Sequence, residues 1–319
     1  MVKAYTLVAG KCPALGEWIR FELMKRRAAL KQPSAVSKDT IAKVKAQKKR
    51  LKELGIVYTH MPAVSFVVAS HNQGWSAAMM SEALVGLHGV AAEAVVCEDG
   101  SADESMETYS GKLIYPNHFV IHCNGLGAAR GLDRAVRCCR GAVVCIVDAE
   151  DALPSAGAFV ERALELFKRY PNLAVLGGAR RYKLNAAAKQ LDVVEETTRS
   201  LDFVPAVAGG PVFIRAAAYA SAGGFDAATG AAGGTNVGFV EEFCLRCWVN
   251  GWQVAHEPVA WAARMPRNVP LAGAGGRALY VPAEEVAKAA AHARAVIAAA
   301  YGTHFAGVAN AVQAANAAR

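Results

Sequence analysis

Apolar and polar residues follow a regular alternation along the chain from Ala63 onward. Short apolar runs rich in Val and Ile are separated by stretches in which apolar residues recur at helical spacing. The runs are typical of strands buried on both faces of a sheet, and the spaced pattern is typical of amphipathic helices. Strand and helix in alternation predict an α/β fold with a parallel sheet and right-handed crossovers.

The same pattern gives approximate bounds for each element. We predict strands at 64–70, from 93, at 118–124, 143–147 and 173–182, and within 252–263. We predict helices at 76–87, up to about 112, and at 126–140, 155–170, 239–251, 283–301 and 308–319, with a basic helical region at 14–55. Residues 183–205 have weak periodicity and predict an irregular excursion, while the Gly-rich stretch 227–238 is typical of a flexible lid.

The stretch Val143–Pro154 is distinctive because an unbroken apolar run leads directly into acids. The run predicts a buried strand, and Asp148, Glu150 and Asp151 follow where it leaves the sheet. In open α/β folds ligands bind at the carboxyl ends of the strands. Carboxylates at such a bend can converge on Mg²⁺ or Mn²⁺, which prefer oxygen ligands and often share them with substrate phosphates. The structural alternative is a solvated acidic turn that closes the strand.

Composition is compatible with one large α/β domain or two ordinary ones. The chain has 319 residues, of which 54% are hydrophobic and 19% charged, enough for a sizeable core. We expect no membrane span and no signal peptide, because no apolar run has the required length or flanks. The cysteines lie mostly in apolar elements, and the Cys244–Cys247 pair has no second pair at zinc spacing. A reducing, cytoplasmic location is therefore expected.

Positive charge is concentrated near the start of the chain. The net charge is +8, with 35 Lys and Arg against 27 Asp and Glu. Residues 1–60 hold 14 of the basic and 4 of the acidic residues, a net of +10, so the remainder carries −2. The cluster at Lys48, Lys49, Arg50 and Lys52 predicts peripheral contact with an anionic membrane surface, or else a solvated helix packed on the body. Few aromatics accompany it, so nucleic-acid binding is not expected.

Several motifs follow one another at the ends of the predicted strands. In chain order they are Ser70-His71-Asn72, Glu98-Asp99-Gly100-Ser101 with Asp103, NGLGAARGLDRA, DAED, and GGFD followed by Glu241-Glu242. In this order and spacing they resemble the family-2 glycosyltransferases of the GT-A fold, over about residues 63–262. The resemblance implies a Rossmann-like, mostly parallel sheet flanked by helices. With the charge and composition of the flanking segments, this divides the chain into a basic helical extension at 1–60, the GT-A domain at 61–268 and an Ala-rich helical extension at 269–319.

The resemblance implies roles for individual residues. Ser70, Asn72, Glu98, Asp99 and Arg130 would bind the nucleotide, with Asp99 accepting from the imide N–H of a uracil-type base and Glu98 near the ribose. Taken by themselves, the acids also suit a capped turn, and the arginine a surface helix position.

Metal and base are assigned by the same resemblance. Asp148 would hold both the nucleotide diphosphate and, with Glu150, the Mn²⁺ or Mg²⁺ ion. Glu242 falls where the family has a catalytic Asp, so it would be the general base of an inverting transfer, and Glu241 beside it competes for that role. Acids also favour a helix N-terminus for electrostatic reasons alone.

The chain departs from the family at several positions. Glu replaces the usual Asp at Glu150 and Glu242, and the metal-ligating histidine expected after the last strand is missing from ARMPRNVP, where Arg264 or Arg267 would bind diphosphate instead. The Q-x-x-R-W motif of processive synthases is absent from the sequence.

The expected activity is metal-dependent hexosyl-type transfer from a nucleotide-diphosphate sugar, with UDP the expected nucleotide, to a glycan, lipid or protein acceptor. A nucleotidyltransferase is the rival within the same fold, but the phosphate-binding opening loop it needs is missing after the first strand. A rival of another class is a non-catalytic protein that uses the fold as a binding module or scaffold.

Overall fold

The structure is a computed structural model of the full chain. It describes residues 61–87, 90–113, 117–153, 157–177, 180–194, 200–229, 238–257, 263–264 and 283–319, together with 45–46, 49 and 52–53. The chain divides into two compact units, Met1–Glu53 and Leu54–Arg319. In the first unit the described positions are helical and exposed, and Lys49 pairs with Glu53 at 3.8 Å. The rest of the predicted helical region at 14–55 lies outside the described residues.

Strands and helices alternate in the second unit as the sequence predicts. The described strands are β1 (Val64–Ser70), β2 (Ala92–Glu98), β3 (His118–His122), β4 (Val143–Asp148), β5 (Asp151–Ala152), β6 (Leu173–Gly177), β7 (Arg180–Asn185), β8 (Gln190–Val194), β9 (Asp202–Phe203), β10 (Val207–Ala208), β11 (Val212–Arg215), β12 (Gln253–His256) and β13 (Ala263–Arg264). The described helices are α1 (Gly74–Val85), α2 (Ser105–Lys112), α3 (Ala128–Cys138), α4 (Ala158–Arg169), α5 (Ala216–Ala222), α6 (Phe239–Val249), α7 (Ala283–Tyr301) and α8 (Phe305–Ala317).

Within the described part of the chain, the central sheet has eight strands in the order β3-β2-β1-β4-β11-β6-β12-β9. The four strands from β3 to β4 are parallel to one another, and β12 is parallel to β6. The predicted parallel sheet is thus confirmed in its larger part, and the sheet is flanked by helices. The difference is that β11 runs antiparallel to both β4 and β6, and β9 antiparallel to β12. The carboxyl ends of β2, β1, β4, β6 and β12 consequently share one edge.

Two smaller sheets were not anticipated from the periodicity. The predicted strand at 173–182 is two strands, of which β6 belongs to the central sheet and β7 to a three-stranded sheet in the order β10-β7-β8. Residues 183–205 were expected to be irregular, but β7 and β8 form an antiparallel hairpin there, with Asn185 opposite Gln190. A two-stranded sheet pairs β5 with β13 directly after the acidic segment.

The core lies between the central sheet and its helices. Every residue of β2 and of β6 is buried, as expected for strands covered on both faces. Phe159 on α4 packs edge-on between Phe66 of β1 and Phe213 of β11, with ring centroids 6.3 and 6.1 Å apart. Such edge-to-face pairs are favoured by the ring quadrupoles and hold α4 against the centre of the sheet.

The C-terminal segment forms two helices close to their predicted bounds. Phe305 and Val308 of α8 are buried against the core. The Asn316 side chain accepts a hydrogen bond from the backbone N–H of Phe203 at 2.9 Å and donates one to its carbonyl at 2.8 Å. No single described helix is long and apolar enough to cross a membrane, and α7 with α8 meets that test only as a pair bent by 88°.

Candidate functional site

The predicted site residues lie along one edge of the central sheet. Ser70 at the end of β1 pairs with Glu98 at the end of β2, and Ala69 pairs with Asp148 at the end of β4. Because β2, β1 and β4 are adjacent and parallel, Asp99 and Asp148 emerge from the same edge. The structure therefore brings together the ends of the three strands from which the sequence predicts a nucleotide and metal site.

Glu98 organises the turn that follows β2. Its side chain is fully buried and accepts hydrogen bonds from the backbone N–H of Ser101 at 2.6 Å and of Gly100 at 3.2 Å. The ring of His122, at the end of β3, lies 2.9 Å from the same carboxylate. Burial by itself favours the neutral acid, but the hydrogen bonds from Ser101, Gly100 and His122 outweigh it and lower the pKa of Glu98. The carboxylate is therefore ionised and already bonded.

Asp99 connects the end of β2 to the beginning of α3. One carboxylate oxygen accepts from the backbone N–H of Leu126 and the other from that of Gly127, both at 2.7 Å. This side chain thereby holds the turn that leads into the helix, and it keeps a small accessible surface because Asp99 is 8% exposed. Arg130, on the first turn of α3, is exposed and has no hydrogen bond or ion pair with another described residue. Its guanidinium is therefore available to an anionic ligand.

The Ser70-His71-Asn72 motif folds onto the turn after β2. Asn72 has a positive φ of 53° and its side-chain oxygen accepts from the backbone N–H of Ala102 at 2.8 Å. The ring of His71 lies 3.0 Å from the carbonyl oxygen of Asp99, and the Ser70 side chain is buried. These residues hold the two strand ends together, and their role toward a nucleotide stays a prediction.

The acidic segment after β4 packs against a glycine. Asp151 is 3% exposed and its Oδ2 accepts from the backbone N–H of Asp148 at 3.0 Å. A Cβ on Gly210 would overlap that oxygen, so the chain after β10 lies directly on the acidic turn. Arg264 of β13 lies opposite Asp151 of β5 in the antiparallel strand register. Arg267 lies outside the described residues. Asp148 and Glu150 remain partly accessible beside the buried Asp151.

This donor set fits a divalent cation that is held partly by phosphate. Within the described ranges, no three or more His, Cys, Asp and Glu side chains are grouped so as to hold a metal ion. A Mg²⁺ or Mn²⁺ ion in a phosphate site needs only one or two carboxylates, since waters and phosphate oxygens complete its coordination. Asp148 and Glu150 offer that chemistry at the sheet edge, while the metal itself stays a prediction.

The two glutamates of α6 have different surroundings. Glu242 is 3% exposed, and both of its oxygens are bonded, one to Arg246 at 2.7 Å and the other to the Tyr301 hydroxyl at 2.5 Å. Glu241 is partly exposed, and its Oε1 accepts from the Tyr182 hydroxyl at 2.8 Å. Burial raises the pKa of Glu241 above its usual range. The predicted catalytic pair therefore consists of a buried carboxylate with both oxygens bonded and a more accessible carboxylate that accepts from Tyr182.

Aromatic packing fixes the start of α6. Phe225 of the GGFD motif lies edge-on to Phe239 and Phe243, with ring centroids 4.9 and 5.3 Å apart. Asp226 caps its own turn by accepting from the backbone N–H of Ala228 at 2.9 Å. Most of the predicted lid at 227–238 lies outside the described residues.

Sequence reasoning did not identify Tyr182, Tyr301, His122 or Gly210 as parts of this region. Tyr182 lies 59 residues from the glutamate it contacts, and so does Tyr301. No local motif marks either tyrosine, so only the folded chain reveals the contacts. His122 carried a weak signal, because it ends a predicted strand adjacent to the acidic one.

The sequence matches the profile described as Glycosyl transferase family 2 over residues 65–203. The mannosyltransferase PcManGT from Pyrobaculum calidifontis, solved with GDP-Man and Mn²⁺, is similar in structure, with a TM-score of 0.50 and 18% identity over 87% of this chain and 86% of that one. S. aureus TarS 1-349 gives a TM-score of 0.47 and 17% identity, and a TarS structure with UDP-GlcNAc gives 0.46 and 18%.

The match to TarS is partial, since it covers 63% of this chain and 60% of TarS 1-349. A search of curated proteins gave no match. The profile match falls on β1 to β9, which carry the motifs from Ser70-His71-Asn72 to DAED but not GGFD or Glu241-Glu242. The mostly parallel central sheet agrees with the fold expected from the motifs. Residues 65–203 therefore match glycosyl transferase family 2, and the sheet is of the GT-A type.

Proposed function

We propose that the chain transfers a sugar from a nucleotide-diphosphate sugar, with UDP the expected nucleotide, to an acceptor hydroxyl. The observation that carries this proposal is the common edge of β2, β1 and β4, where Asp99 and Asp148 emerge within the segment that matches the family. Hexosyl specificity, and a glycan, lipid or protein as acceptor, belong to the same proposal.

Nucleotide binding would use groups that the edge already presents. An ionised carboxylate has about four acceptor positions, so Asp99 retains capacity for an imide N–H of the base after its two backbone bonds. Arg130 would place its guanidinium on the diphosphate, since it is exposed and not engaged with another described residue. Ser70, Asn72 and Glu98 would support the base-binding turn through the bonds they make within it.

Metal assistance would come through Asp148 and Glu150. In an inverting transfer the acceptor oxygen attacks the anomeric carbon, the bond from that carbon to the diphosphate oxygen breaks, and the diphosphate leaves with the electron pair. A bound Mn²⁺ or Mg²⁺ would stabilise the charge that develops on this leaving group. The two carboxylates would hold the ion at the sheet edge.

A glutamate at the start of α6 would take the proton of the acceptor hydroxyl. The sequence favours Glu242, but its two bonds to Arg246 and Tyr301 leave Glu241 with the more accessible oxygen. A base works best when its pKa approaches the operating pH, and burial raises the pKa of Glu241 in that direction. The contacts therefore shift the preference to Glu241.

The nucleotide proposal is tested by ligand stabilisation. Thermal-shift measurements with UDP, GDP and ADP, each with and without Mn²⁺, are expected to show the largest rise with UDP and Mn²⁺, because a ligand that binds only the native state raises its apparent stability. GDP belongs in the panel because a protein of the same fold was solved with GDP-Man. Equal shifts in melting temperature with and without Mn²⁺ would contradict the proposed metal dependence. If no nucleotide shifts the melting temperature, the proposal that the donor is a nucleotide-diphosphate sugar is contradicted.

The base proposal is tested by two matched substitutions. Glu241→Gln is expected to lower the transfer rate by about 10²–10⁴-fold while UDP affinity persists. The wild-type rate should fall as pH decreases, with a midpoint above the usual range for a glutamate, because protonation removes the base and burial raises the pKa of Glu241. Glu161→Gln, at an exposed position on α4, is the control. If Glu242→Gln abolishes transfer and Glu241→Gln does not, Glu242 is the base.

A second function is favoured by the bonds that the site carboxylates already make within the chain. Both oxygens of Glu242 and both of Asp99 are bonded within the chain, as they would be in a protein that keeps the fold without catalysis. Such a binding module would respond to nucleotides in the thermal-shift panel, or to none, and would neither transfer nor hydrolyse a nucleotide sugar. Turnover by the wild type therefore separates the two functions.

A further inference from the structure

Helix α7 packs against residues near both ends of the Gly-rich stretch 227–238 that precedes α6. The ring Nε2 of His292 lies 3.0 Å from the carbonyl oxygen of Ala228, near the start of that stretch. A Cβ on Gly238, at its end, would overlap the Cβ of Ala293, which is 3% exposed. Gly238 has a φ of 88°, so it has both the backbone conformation and the small size that this close approach needs. The C-terminal helix and the start of α6 therefore form one packed region.

Tyr301, at the end of α7, bonds to a carboxylate on α6. Its hydroxyl donates to Oε1 of Glu242, and Arg246 donates to Oε2. A second guanidinium nitrogen of Arg246 donates to the carbonyl oxygen of Ala222, the last residue of α5, at 2.7 Å. Glu242 thus connects three helices, and removing one donor leaves a buried carboxylate with an unmatched oxygen.

The direction in which the Glu242 side chain projects from α6 also determines the direction of the Glu241 side chain. Consecutive residues on an α-helix project about 100° apart. When Glu242 is fixed toward α7 and α5, Glu241 is turned toward β7, where Tyr182 donates to it. A change in the rotation or order of this first turn would move the Glu241 carboxylate.

We propose that Tyr301 is a positioning residue for the candidate active site: by bonding Glu242 it fixes the first turns of α6 and thereby the direction in which Glu241 presents its carboxylate. This inference rests on the proposed transferase function for its catalytic consequence. Tyr301 lies outside the segment that matches the family, as do Glu241 and Glu242 of α6, so the C-terminal helix would support the part of the site that α6 supplies.

The protonation of Tyr301 suits this role. Burial, followed by the hydrogen bond to Glu242, raises the pKa of the tyrosine hydroxyl above its usual range. The hydroxyl therefore remains protonated, and a donor, at neutral pH. The contact is a fixed structural bond and does not switch near neutral pH.

The test compares Tyr301→Phe with Tyr170→Phe. Tyr170 packs edge-on against Phe203 at 5.6 Å, and its hydroxyl has no hydrogen bond to a described residue, so it is a matched hydroxyl deletion. Amide hydrogen exchange in residues 239–249 is expected to accelerate by about tenfold or more in Tyr301→Phe and to stay unchanged in Tyr170→Phe. This measurement does not depend on activity.

Turnover and nucleotide binding then separate positioning from a general loss of structure. Tyr301→Phe is expected to lower kcat for transfer, or for hydrolysis of the best nucleotide sugar, by about 10–100-fold. Affinity for UDP with Mn²⁺ should remain within about twofold, because the nucleotide edge belongs to other strands. A loss of UDP affinity equal to the loss of kcat would overturn the positioning role.

A double-mutant cycle keeps the proposal testable if one variant is unstable. Glu242→Gln weakens the same contact from the other side, so Tyr301→Phe and Glu242→Gln together should be little worse than the more severe single variant. Fully additive effects, or unchanged exchange in α6, would overturn the proposal. Faster exchange with no turnover of any nucleotide sugar by the wild type would overturn the proposed function and, with it, the catalytic part of this inference.

Discussion

The carboxylates at the end of β2 hold the backbone in place before any ligand binds. Glu98 accepts from the N–H groups of Gly100 and Ser101, and Asp99 accepts from those of the two residues directly before α3. Charge-assisted bonds of this kind are about twice as strong as neutral ones. If the proposed function is right, the side chain that shapes the loop also recognises the base, and the base would meet a preorganised acceptor.

We expect Asp99→Asn to lower the free energy of unfolding by about 1–3 kcal/mol, because the new amide NH₂ would face a backbone N–H group. UDP affinity should fall as well. Urea denaturation and titration calorimetry measure the two effects, with Glu107→Gln, an exposed carboxylate on α2, as the control. A folded variant with unchanged UDP affinity would exclude Asp99 from the nucleotide site.

Which side chains reach the sheet edge was predictable, but what they contact there was not. The strand ends are visible in the hydrophobic pattern, so Ser70, Glu98 and Asp148 could be placed on neighbouring strands. The partners of the α6 glutamates come from β7 and α7, far along the chain. Their contacts depend on how distant elements pack, and a local spacing rule carries no information about that.

At the scale of elements, the acidic turn after β4 depends on the chain that follows β10. Gly210 lies against Asp151, and β11 then returns beside β4 in the antiparallel direction. The reversal places this glycine at the same edge as the nucleotide strands. A strand that ran the other way would put a different loop on the acidic turn.

Gly210→Ala is therefore expected to displace the Asp151 carboxylate and to weaken Mn²⁺-dependent UDP binding by about tenfold, since overpacking costs about 1–3 kcal/mol. Calorimetry with and without Mn²⁺ measures the effect. Gly111→Ala is the matched control, because a Cβ there meets nothing within 4 Å. Equal Mn²⁺-dependent affinity in the two variants would show that the acidic turn is not part of the nucleotide site.

Strand direction was the main fold feature that the sequence did not reveal. A short apolar run such as Val212–Ile214 predicts burial but carries no sign of parallel or antiparallel pairing. Leu173–Gly177 and Arg180–Asn185 read as one strand because both are extended, although their burial differs: the first is fully buried and the second is partly exposed. That change in burial marks the passage from the central sheet to the small one.

For the whole molecule, charge and fold are divided between different parts of the chain. The family profile and the sheet lie in a portion that is nearly neutral, whereas residues 1–60 carry +10. Exposed charges interact over roughly 8 Å at physiological salt, so this segment would act only near a charged surface. Membrane contact, predicted for residues 1–60, can therefore be tested separately from nucleotide binding, predicted for the sheet edge.

The full chain is expected to bind vesicles that contain phosphatidylserine and to lose that binding as salt is raised from about 0.1 to 0.5 M. A chain that lacks residues 1–55 should not bind them but should keep its nucleotide-induced thermal shift. Neutral phosphatidylcholine vesicles are the control. Binding by the shortened chain would place the contact elsewhere on the protein.

The contact between Asn316 and Phe203 has a consequence for behaviour at high concentration. β9 is the last strand in the order of the central sheet, and the amide side chain supplies Phe203 with the acceptor and donor that an added strand would bring. The Asn316 side chain adds no further backbone groups to the sheet, whereas an added strand would present a new edge of unpaired N–H and C=O groups. Intermolecular sheet growth is thereby blocked at this edge by the final turns of α8, so a chain shortened before Asn316 would be prone to aggregate even while its nucleotide edge remained intact.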